Sequence, residues 1–377
     1  MELKEYRFDE VTINFDKKRI PLSGAQRKKR QGNFRYYGAQ GVIDHIDDFI
    51  FDGTYLLIAE DGENLKSKKQ NIAQVVEGQF WVNNHAHIVQ GNELCNTRYL
   101  CYLLNSMDLS GYVTGSAQPK LSQANLNAVT LFLPSITVQE RIVESLYLFD
   151  KKIAVNQKIN DNLYEMVNAY YTSLFKESDC EMTTVGNYAE RIYSGGTPMT
   201  SNAAYWNGTF GWFSSGETRN RFVISTEKTI TQAGIDNSST KLATKYDIVM
   251  ASAGQGFTRG QTSMLLIDTY VNQSVIVIKS ERNILPYLFW NLVNRYDELR
   301  AISDSSSIRG SLTTKMIAAF EIPLANEQSL QAFADFAWSV IPQIENNLLE
   351  NERLTALRDS LLPKLMSGEI DVTDIQL

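Results

Sequence analysis

The chain has 377 residues, of which 43% are hydrophobic and 21% charged, a composition typical of a globular protein with room for two or three domains. No stretch approaches the eighteen apolar residues of a membrane helix, and the first twenty residues lack the apolar core of a signal peptide, so we expect a cytoplasmic protein. The net charge of −7 does not exclude nucleic acid as a partner, because residues 325–377 alone carry nine acidic and three basic side chains.

In chain order, residues 1–137 predict a domain of short strands. Apolar segments at 55–59, 80–82 and 87–89 are separated by Gly, Asn and Asp turns, and 97–104 is compatible with a short helix. Residues 179–324 repeat this pattern, with strands at 247–251 and 274–278 and a helix at 286–299. We therefore expect two α+β domains, 1–137 and 179–324, each containing an irregular, Gly-rich sheet.

Each predicted domain is followed by a long helical segment, 138–178 or 325–377. A helix near 138–176 would be about 58 Å long at 1.5 Å per residue. Apolar residues and Asn recur at alternating steps of four and three in both segments, which is the pattern of a coiled-coil seam. Both Asn positions recur 191 residues later, so we interpret the helices as each other's partners, with Asn fixing the register. The predicted pairing residues are Ile153, Asn156, Asn160, Leu163, Ile344, Asn347, Asn351 and Leu354.

Shorter matches extend this repeat into the domains. Val82-Asn83 matches Val271-Asn272, Tyr99-Leu100 matches Tyr287-Leu288, and residues 34–37 faintly resemble 210–213. The predicted fold is thus α+β: two pseudo-repeated domains held apart by two long antiparallel coiled-coil helices, with approximate internal two-fold symmetry. Such a molecule would present similar surfaces at two separated points, which suits the two-fold axes of a DNA duplex.

Proline is expected to interrupt the second helix. Pro342 should kink or delay it, and Pro363 should kink or end it, because proline lacks the backbone N–H and its ring clashes with the preceding turn.

Basic residues are concentrated in two segments of the first domain. Between residues 17 and 35 there are eight basic side chains and no acidic one, with aromatic residues close by, and 66–69 form a second basic loop. A charge run alone is more often a solvated surface, but two such segments in a duplicated chain favour DNA. In the second domain only dispersed Arg, Lys and Gln residues are candidates, on the basis that Arg suits guanine edges and Gln suits adenine. The DNA-binding candidates are Lys17, Arg19, Arg27, Lys28, Lys29, Arg30, Arg35, Tyr37, Lys66, Lys68, Lys69, Arg219, Arg221, Lys241, Arg259, Gln261 and Arg309.

Catalytic motifs are missing from the sequence. It contains no Walker loop, no His-Glu-x-x-His, no Gly-x-Ser-x-Gly and no Asn-Pro-Pro-Tyr, and no residue set predicts a metal site. We therefore expect no catalytic residues and no enzyme activity in this chain alone. A tandem-repeat, β-rich scaffold that binds protein or glycan is the alternative, and salt-dependent duplex binding would distinguish the two.

The chain resembles the specificity (S) subunit of type I restriction–modification systems over nearly its whole length. The resemblance is carried by Gly195-Gly196-Thr197-Pro198, by 205–208 with Trp212, by 322–323 with Glu327-Gln328, and by the tail 361–370. The first domain departs from the family pattern, because it lacks the opening Gly-Gly-Thr-Pro and the Tyr-Trp pair, and because Gln139-Glu140 has the reverse order.

The resemblance implies a division of labour between subunits. Target recognition domains 1 (1–137) and 2 (179–324) would each read one half of a bipartite DNA sequence. The helices would act as a conserved spacer that sets the gap and docks two modification (methyltransferase) subunits. S-adenosylmethionine would be used by those subunits, and ATP and magnesium by added restriction (translocase and nuclease) subunits. The chain itself would bind double-stranded DNA, no cofactor and no membrane.

Overall fold

The computed structural model describes residues 2–67, 70–115, 118–175, 181–254, 258–305, 310–370 and 372. These residues form two compact units, one made of Met1–Lys152 with Leu354–Leu377 and the other of Ile153–Arg353. Each of the two long helices therefore contributes one part to each unit.

The first unit combines a large sheet with short helices, and the first long helix begins shortly after the last strand of this unit. Its elements are β1 (Lys4–Arg7), β2 (Thr12–Asn14), α1 (Gly24–Lys28), β3 (Gln31–Gly38), β4 (Gly41–Ile46), β5 (Phe51–Ala59), α2 (Asn64–Ser67), β6 (Ala73–Val82), β7 (Ala86–Gly91), α3 (Thr97–Ser106), α4 (Gln123–Asn127), β8 (Thr130–Leu133) and the first part of α5 (Ile136–Leu174).

Six strands of this unit form one sheet in the order β2-β7-β5-β6-β3-β4, and β1 pairs with β8 in a separate ladder. The apolar run in β5 is buried on both faces, as the central position of β5 requires. Leu56 and Ile58 pack in a core with α3, whereas Leu57 belongs to a second cluster with Phe51 and Phe80. The period of two residues therefore divides one hydrophobic segment between two cores.

The second unit has smaller sheets and more helices. Its elements are β9 (Met182–Thr184), α6 (Val185–Tyr188), β10 (Ala189–Ser194), β11 (Trp206–Phe213), β12 (Phe222–Val223), β13 (Lys228–Ile230), α7 (Gln232–Asp236), β14 (Lys241–Ala243), β15 (Ile248–Ala251), β16 (Thr262–Leu265), β17 (Thr269–Val271), β18 (Val275–Ser280), α8 (Leu285–Asn294), α9 (Tyr296–Ser305), α10 (Thr314–Ala318), β19 (Glu321–Pro323) and most of α11 (Glu327–Ser367). The sheets run β10-β18-β15-β16-β12, β13-β11-β17-β14 and β19-β9.

The duplication predicted from the sequence is present in the strand register. In the first unit Leu56 lies opposite both Val75 and Val89. In the second unit Ile248 lies opposite Met264 and Ile278, and each of these partners is 189 positions further along the chain. The two units therefore repeat the same central ladder residue for residue.

The weak match between 34–37 and 210–213 is also confirmed. Tyr37 pairs in parallel with Val82, and Phe213 pairs in parallel with Val271. The Asn that follows each valine makes the same turn: Asn83 accepts a hydrogen bond from the His85 N–H at 2.8 Å, and Asn272 accepts one from the Ser274 N–H at 3.0 Å. The shared Val-Asn dipeptide thus marks the end of the same strand in both units.

Two helix predictions are corrected by the structure. Residues 286–299 were expected to form one helix, but α8 ends at Asn294 and α9 begins at Tyr296. The break falls at Arg295, which leaves helical geometry with φ −105° and ψ 28°. In contrast, α11 is not delayed by Pro342 or ended by Pro363 but continues from Glu327 to Ser367. Both prolines are exposed, so water can reach the carbonyl groups that lose their helical partner.

Candidate DNA interface and helix-pairing residues

Three arginines of the basic segment 17–35 have carboxylate partners. Arg19 lies 3.4 Å from Asp16 and 3.2 Å from Glu60 and also donates to the Ala86 carbonyl. Arg27 is paired with an aspartate of β4 at 2.9 Å, and Arg30 with the aspartates that follow β4. Because these guanidinium groups are neutralised inside the unit, they hold the segment in place and are poor candidates for phosphate contacts.

The start of the same segment is fixed by a buried ionic group. Asp16 Oδ2 lies 2.6 Å from His87 Nδ1, and Asp16 Oδ1 accepts the Ile88 N–H at 2.8 Å. Burial raises the pKa of Asp16, but the His87 and Ile88 hydrogen bonds and the charges of His87 and Arg19 outweigh burial, so its pKa lies below the ordinary value. The basic segment thus begins at a rigid point.

The five remaining basic side chains of the segment are exposed, and one of them, Lys18, lies over the Phe15 ring at 5.2 Å. Lys17, Lys28 and Lys29 make no side-chain hydrogen bond or ion pair with any other residue that the structure describes. Arg35 is exposed as well, and its hydrogen bond goes to the Glu77 carbonyl rather than to a carboxylate. These four residues are the basic side chains of segment 17–35 best placed to meet a polyanion.

The prediction that Tyr37 lies on a DNA-facing surface is wrong. Its side chain is 5% exposed and packs edge-on against Phe80, because Tyr37 occupies an inward position of β3. Burial raises the pKa of Tyr37, although the charge of Arg35 opposes the shift. The Arg35 guanidinium lies 5.6 Å from the Tyr37 ring centroid, so the tyrosine supports a candidate contact and is not one itself.

The second basic segment is only partly described. Lys66 donates to the Gly115 carbonyl at 3.1 Å, so its ammonium group has a partner inside the unit. Lys68 and Lys69, and Arg309 of the second unit, lie outside the described residues.

Candidates in the second unit separate into exposed and internal groups. Arg219 forms an ion pair with Glu227 but remains 60% exposed, and Arg221 and Lys241 are exposed. Arg259 is corrected to an internal role, because it is 17% exposed and bonds Asp304, Ser303 and the Gly310 carbonyl. The last turn of α9 and Gly310 thus hold Arg259 inside the unit.

Three of these candidates gather around one cleft of the second unit, with a volume of about 760 Å³. Arg219, Arg221 and Gln261 line it, together with Tyr164 of α5 and Ile344 of α11. Arg221 stacks over the Tyr164 ring with 4.1 Å to the centroid, and Gln261 Oε1 is buried without a hydrogen-bond partner among the described residues. The cleft also contains carboxylates, so its surface is mixed rather than basic.

The four Asn residues among the predicted pairing residues meet in the second unit. Asn156 donates to Asn351 Oδ1 at 2.9 Å, and Asn347 donates to Asn160 Oδ1 at 2.7 Å. Because the partner numbers fall as the α5 numbers rise, this part of the two helices runs antiparallel. Asn160 also donates to the Ile344 carbonyl at 3.3 Å.

The apolar pairing residues differ in burial. Ile344 is 1% exposed and belongs to the main core of the second unit, against which the half-buried Leu163 packs. Ile153 and Leu354 are half-buried, and the boundary between the two units separates them.

The aspartates that neutralise Arg27 and Arg30 are the feature that sequence reasoning missed. Asp44, Asp47 and Asp48 come only nine to thirteen residues after the basic segment. A predicted hairpin between the basic segment and these aspartates would have placed the arginines beside the aspartates. The glycines at the turn, Gly38 and Gly41, were the available signal for such a hairpin.

The part of the chain that the structure describes contains neither a metal-binding cluster nor a helix that could span a membrane. Within the described ranges no group of three or more His, Cys, Asp or Glu side chains could hold a metal ion. The described helices include none that is long and apolar enough to cross a membrane.

Comparison with known proteins agrees with the repeated architecture. Residues 2–165 and 177–352 match the family model of the type I restriction modification DNA specificity domain. A putative type I restriction enzyme specificity subunit of Haemophilus influenzae is 35% identical over 138 residues, which cover 37% of this chain and 35% of that protein. The EcoR124I/EcoR124II specificity subunit of Escherichia coli is 26% identical over 253 residues, covering 63% and 61%. The chain thus spans about a third and about three fifths of these two relatives.

The fold is shared with a solved structure. The S subunit of a type I restriction–modification system from M. genitalium superposes with a TM-score of 0.58 at 15% identity, over 97% of this chain and 96% of that one. Since the family model matches both halves of the repeat, the chain belongs to the type I restriction modification DNA specificity domain family.

Proposed function

We propose that this chain is the non-catalytic, sequence-specific DNA-recognition subunit of a type I restriction–modification complex. The domain containing 1–137 would read one half of a bipartite target and the domain containing 179–324 the other half. The observation that carries the proposal is the family match in both halves, together with the repeated strand register. Two copies of one frame with different surfaces are what a protein needs to read two different half-sites.

The charge distribution supports DNA as the partner. Lys17, Lys28 and Lys29 project from the first unit without internal partners among the described residues, whereas the nearby arginines are neutralised. Exposed ammonium groups that release counterions from a duplex would give affinity without sequence information. The complex would act in the cytoplasm, where host DNA is found.

We further propose that α5 binds one of two modification subunits. Val155, Ile159 and Met166 are 45%, 39% and 45% exposed and lie within about 40° of one another around the helix. Tyr164 and Val167, which face the core of this unit, lie on a different side. S-adenosylmethionine would be used by the modification subunits, and ATP and magnesium by restriction subunits, with no cofactor in this chain.

Docking on α5 can be tested by changing this apolar face. Ile159→Lys should reduce the modification subunit recovered with the chain, because a charge would replace a buried contact. Gln157→Lys, an exposed site on the opposite side of the same helix, is the matched control. Equal recovery with both variants would contradict docking at this face.

The recognition role can be tested by exchanging one domain. Residues 179–324 would be replaced by the second domain of another S subunit, and adenine methylation mapped in a host with and without each gene. We expect one half of the methylated sequence to change and the other half to stay. Methylation that is independent of the gene, or a change in both halves, would contradict the proposal.

A further inference from the structure

The free edge of the large sheet in the first unit is formed by the β3–β4 hairpin, called the β3–β4 ribbon, in which β4 is the edge strand and β3 also pairs with β6 at Arg35. In the strand order β2-β7-β5-β6-β3-β4, the β3–β4 pair is the terminal one. Arg35 of β3 lies opposite His45 of β4, and both side chains are exposed. Proteins that read DNA with β-sheets place strands in a groove, and in the major groove base pairs present distinct donors and acceptors.

Arg35 is positioned but not neutralised. Its Nη2 donates to the Glu77 carbonyl at 2.8 Å, and its guanidinium stacks over the buried ring of Tyr37. It forms no ion pair with any described residue, so further N–H groups remain available to an acceptor outside the chain. A guanidinium held at one end and free at the other is suited to the O6 and N7 atoms of guanine.

His45 adds a second donor or acceptor beside Arg35. Its imidazole makes no hydrogen bond with the described residues, and its backbone N–H donates to Asp44 Oδ1 at 2.9 Å. Because the register places Arg35 and His45 directly opposite each other, the two side chains are close enough to contact neighbouring base pairs.

Two exposed lysines lie next to the same ribbon, because α1 is bonded to β4. Arg27 joins this helix to Asp44 of β4 at 2.9 Å, and Ser23 caps the helix by accepting the Gln26 N–H. Lys28 ends α1, and Lys29 follows it, both exposed. The lysines are therefore carried by an anchored helix, in reach of phosphates that flank a groove occupied by the ribbon.

The second unit has the same ribbon with different chemistry. Gly211 of β11 lies opposite Thr229 of β13, at the positions that correspond to Arg35 and His45. The inward neighbours remain aromatic, Tyr36 in one unit and Trp212 in the other. The strand arrangement is thus kept, whereas the opposed pair changes from an exposed Arg and His to a half-buried Gly and Thr.

We propose that the exposed face of the β3–β4 ribbon, through Arg35 and His45, reads base edges in the major groove, while Lys28 and Lys29 contact the adjoining phosphates. This proposal rests on the DNA-recognition function proposed above. In this proposal Arg35 contributes to sequence recognition, whereas Lys28 and Lys29 contribute affinity that does not depend on sequence.

The test uses the full chain, assembled with its modification subunits. Duplexes recovered from a randomised pool give the base preferences, and affinity for the selected and for an unrelated duplex is measured at several salt concentrations. Arg35→Gln and His45→Ala should relax the preference at one or two positions of one half-site only. Arg35→Gln should weaken binding of the selected duplex about 5- to 150-fold and leave the unrelated duplex unchanged.

Lys28→Ala with Lys29→Ala should behave in the opposite way. Both duplexes should bind more weakly by the same factor, and the slope of log affinity against log salt should fall by about 2. Arg191→Gln is the matched control, because Arg191 is an exposed strand arginine stacked on buried Tyr193 in the other unit. It should leave the half-site affected by Arg35→Gln unchanged.

Three outcomes are informative. Unchanged base preferences in both Arg35→Gln and His45→Ala would overturn the ribbon assignment, as would an equal loss for selected and unrelated duplexes in Arg35→Gln. A wild-type complex that selects no sequence at all would instead overturn the DNA-recognition function itself. Circular dichroism of each variant would separate loss of contact from loss of folding.

Discussion

The Asn pair between the long helices gives the sharpest stability prediction. Asn156 is 1% exposed and donates to Asn351 Oδ1 at 2.9 Å, and Asn351 is 9% exposed. Replacing either one by Leu leaves a buried amide group without its partner, which costs about 1–3 kcal/mol. Replacing both removes donor and acceptor together and adds apolar contact, so Asn156→Leu with Asn351→Leu should be close to neutral or stabilising.

A detail of Asn156 strengthens the expectation for the double variant. Its Oδ1 atom is buried without a hydrogen-bond partner among the described residues, so the native pair already carries one unsatisfied acceptor. Its second amide hydrogen reaches Glu350 Oε2 at 2.7 Å, and that half-buried carboxylate can be hydrated when Asn156 is replaced. The coupling between the two substitutions should therefore be about 1–3 kcal/mol in favour of the double variant.

The assay is thermal unfolding of the full chain followed by tryptophan fluorescence, since four of the five tryptophans lie within 153–353. Each single variant should lower the transition temperature by roughly 2–12 °C, and the double variant should restore it. Asn346→Leu, at an exposed position of the same helix, should shift it very little. A double variant whose loss equals the sum of the two single losses would refute the reasoning.

Three further predictions concern other anchors. Asp16→Asn should destabilise the first unit by about 1–3 kcal/mol near neutral pH. The pKa of Asp16 in the folded state lies below the unfolded value of 3.8, so its stabilising contribution is present above that value and is lost as pH falls through the folded pKa. The free energy of unfolding of the variant should therefore depend less on pH in the acid range. The same acid dependence in the variant and in the unchanged chain would contradict this. Gly195→Ala should lower the free energy of unfolding by about 3 kcal/mol or more, because its Cβ atom would lie 1.9 Å from the Val271 carbonyl oxygen. Gly216→Ala is the control, because its Cβ atom would meet no atom within 4 Å. Equal melting temperatures of the two variants would refute the steric argument. Arg358→Met should lower the free energy of unfolding by only about 1 kcal/mol despite the 2.6 Å ion pair between Arg358 and Asp150, since both side chains are partly hydrated. A loss of several kcal/mol in chemical denaturation would contradict this.

Periodicity was enough to predict the long helices and the repeat. The step of four and three residues identified α5 within two residues at each end, and the recurring Asn positions predicted which side chains would meet. Short matches such as Val82-Asn83 and Val271-Asn272 identified equivalent strand ends, because the Asn side chain makes the same turn in both units. Local patterns determined these features, so a single sequence was sufficient.

The candidate DNA surface was less predictable, because it depends on contacts between separate strands and helices. The basic segment predicts one charged surface, yet Arg27 is neutralised by an aspartate of β4 and Arg30 by an aspartate that follows β4. Tyr37 reads as an exposed aromatic beside basic residues, but the pleat of β3 directs it inward. Pro342 likewise predicts a helix boundary, which the pairing and burial of α11 override.

The two kinds of arginine in this chain suggest how the protein keeps cations both ordered and available. Arg27 lies over the buried Tyr36 ring and is also bonded to a carboxylate, which occupies its donors and cancels its charge. Arg35 and Arg221 lie over buried tyrosine rings and have no carboxylate partner among the described residues, so the ring contacts the face of the guanidinium and N–H groups remain available on its edge. Since base edges and phosphates are contacted by the guanidinium edge, aromatic support is the arrangement that preserves binding capacity, and it occurs in both units. Exposed arginines above buried tyrosines are therefore better candidates for DNA contact than the density of basic residues in the sequence would indicate.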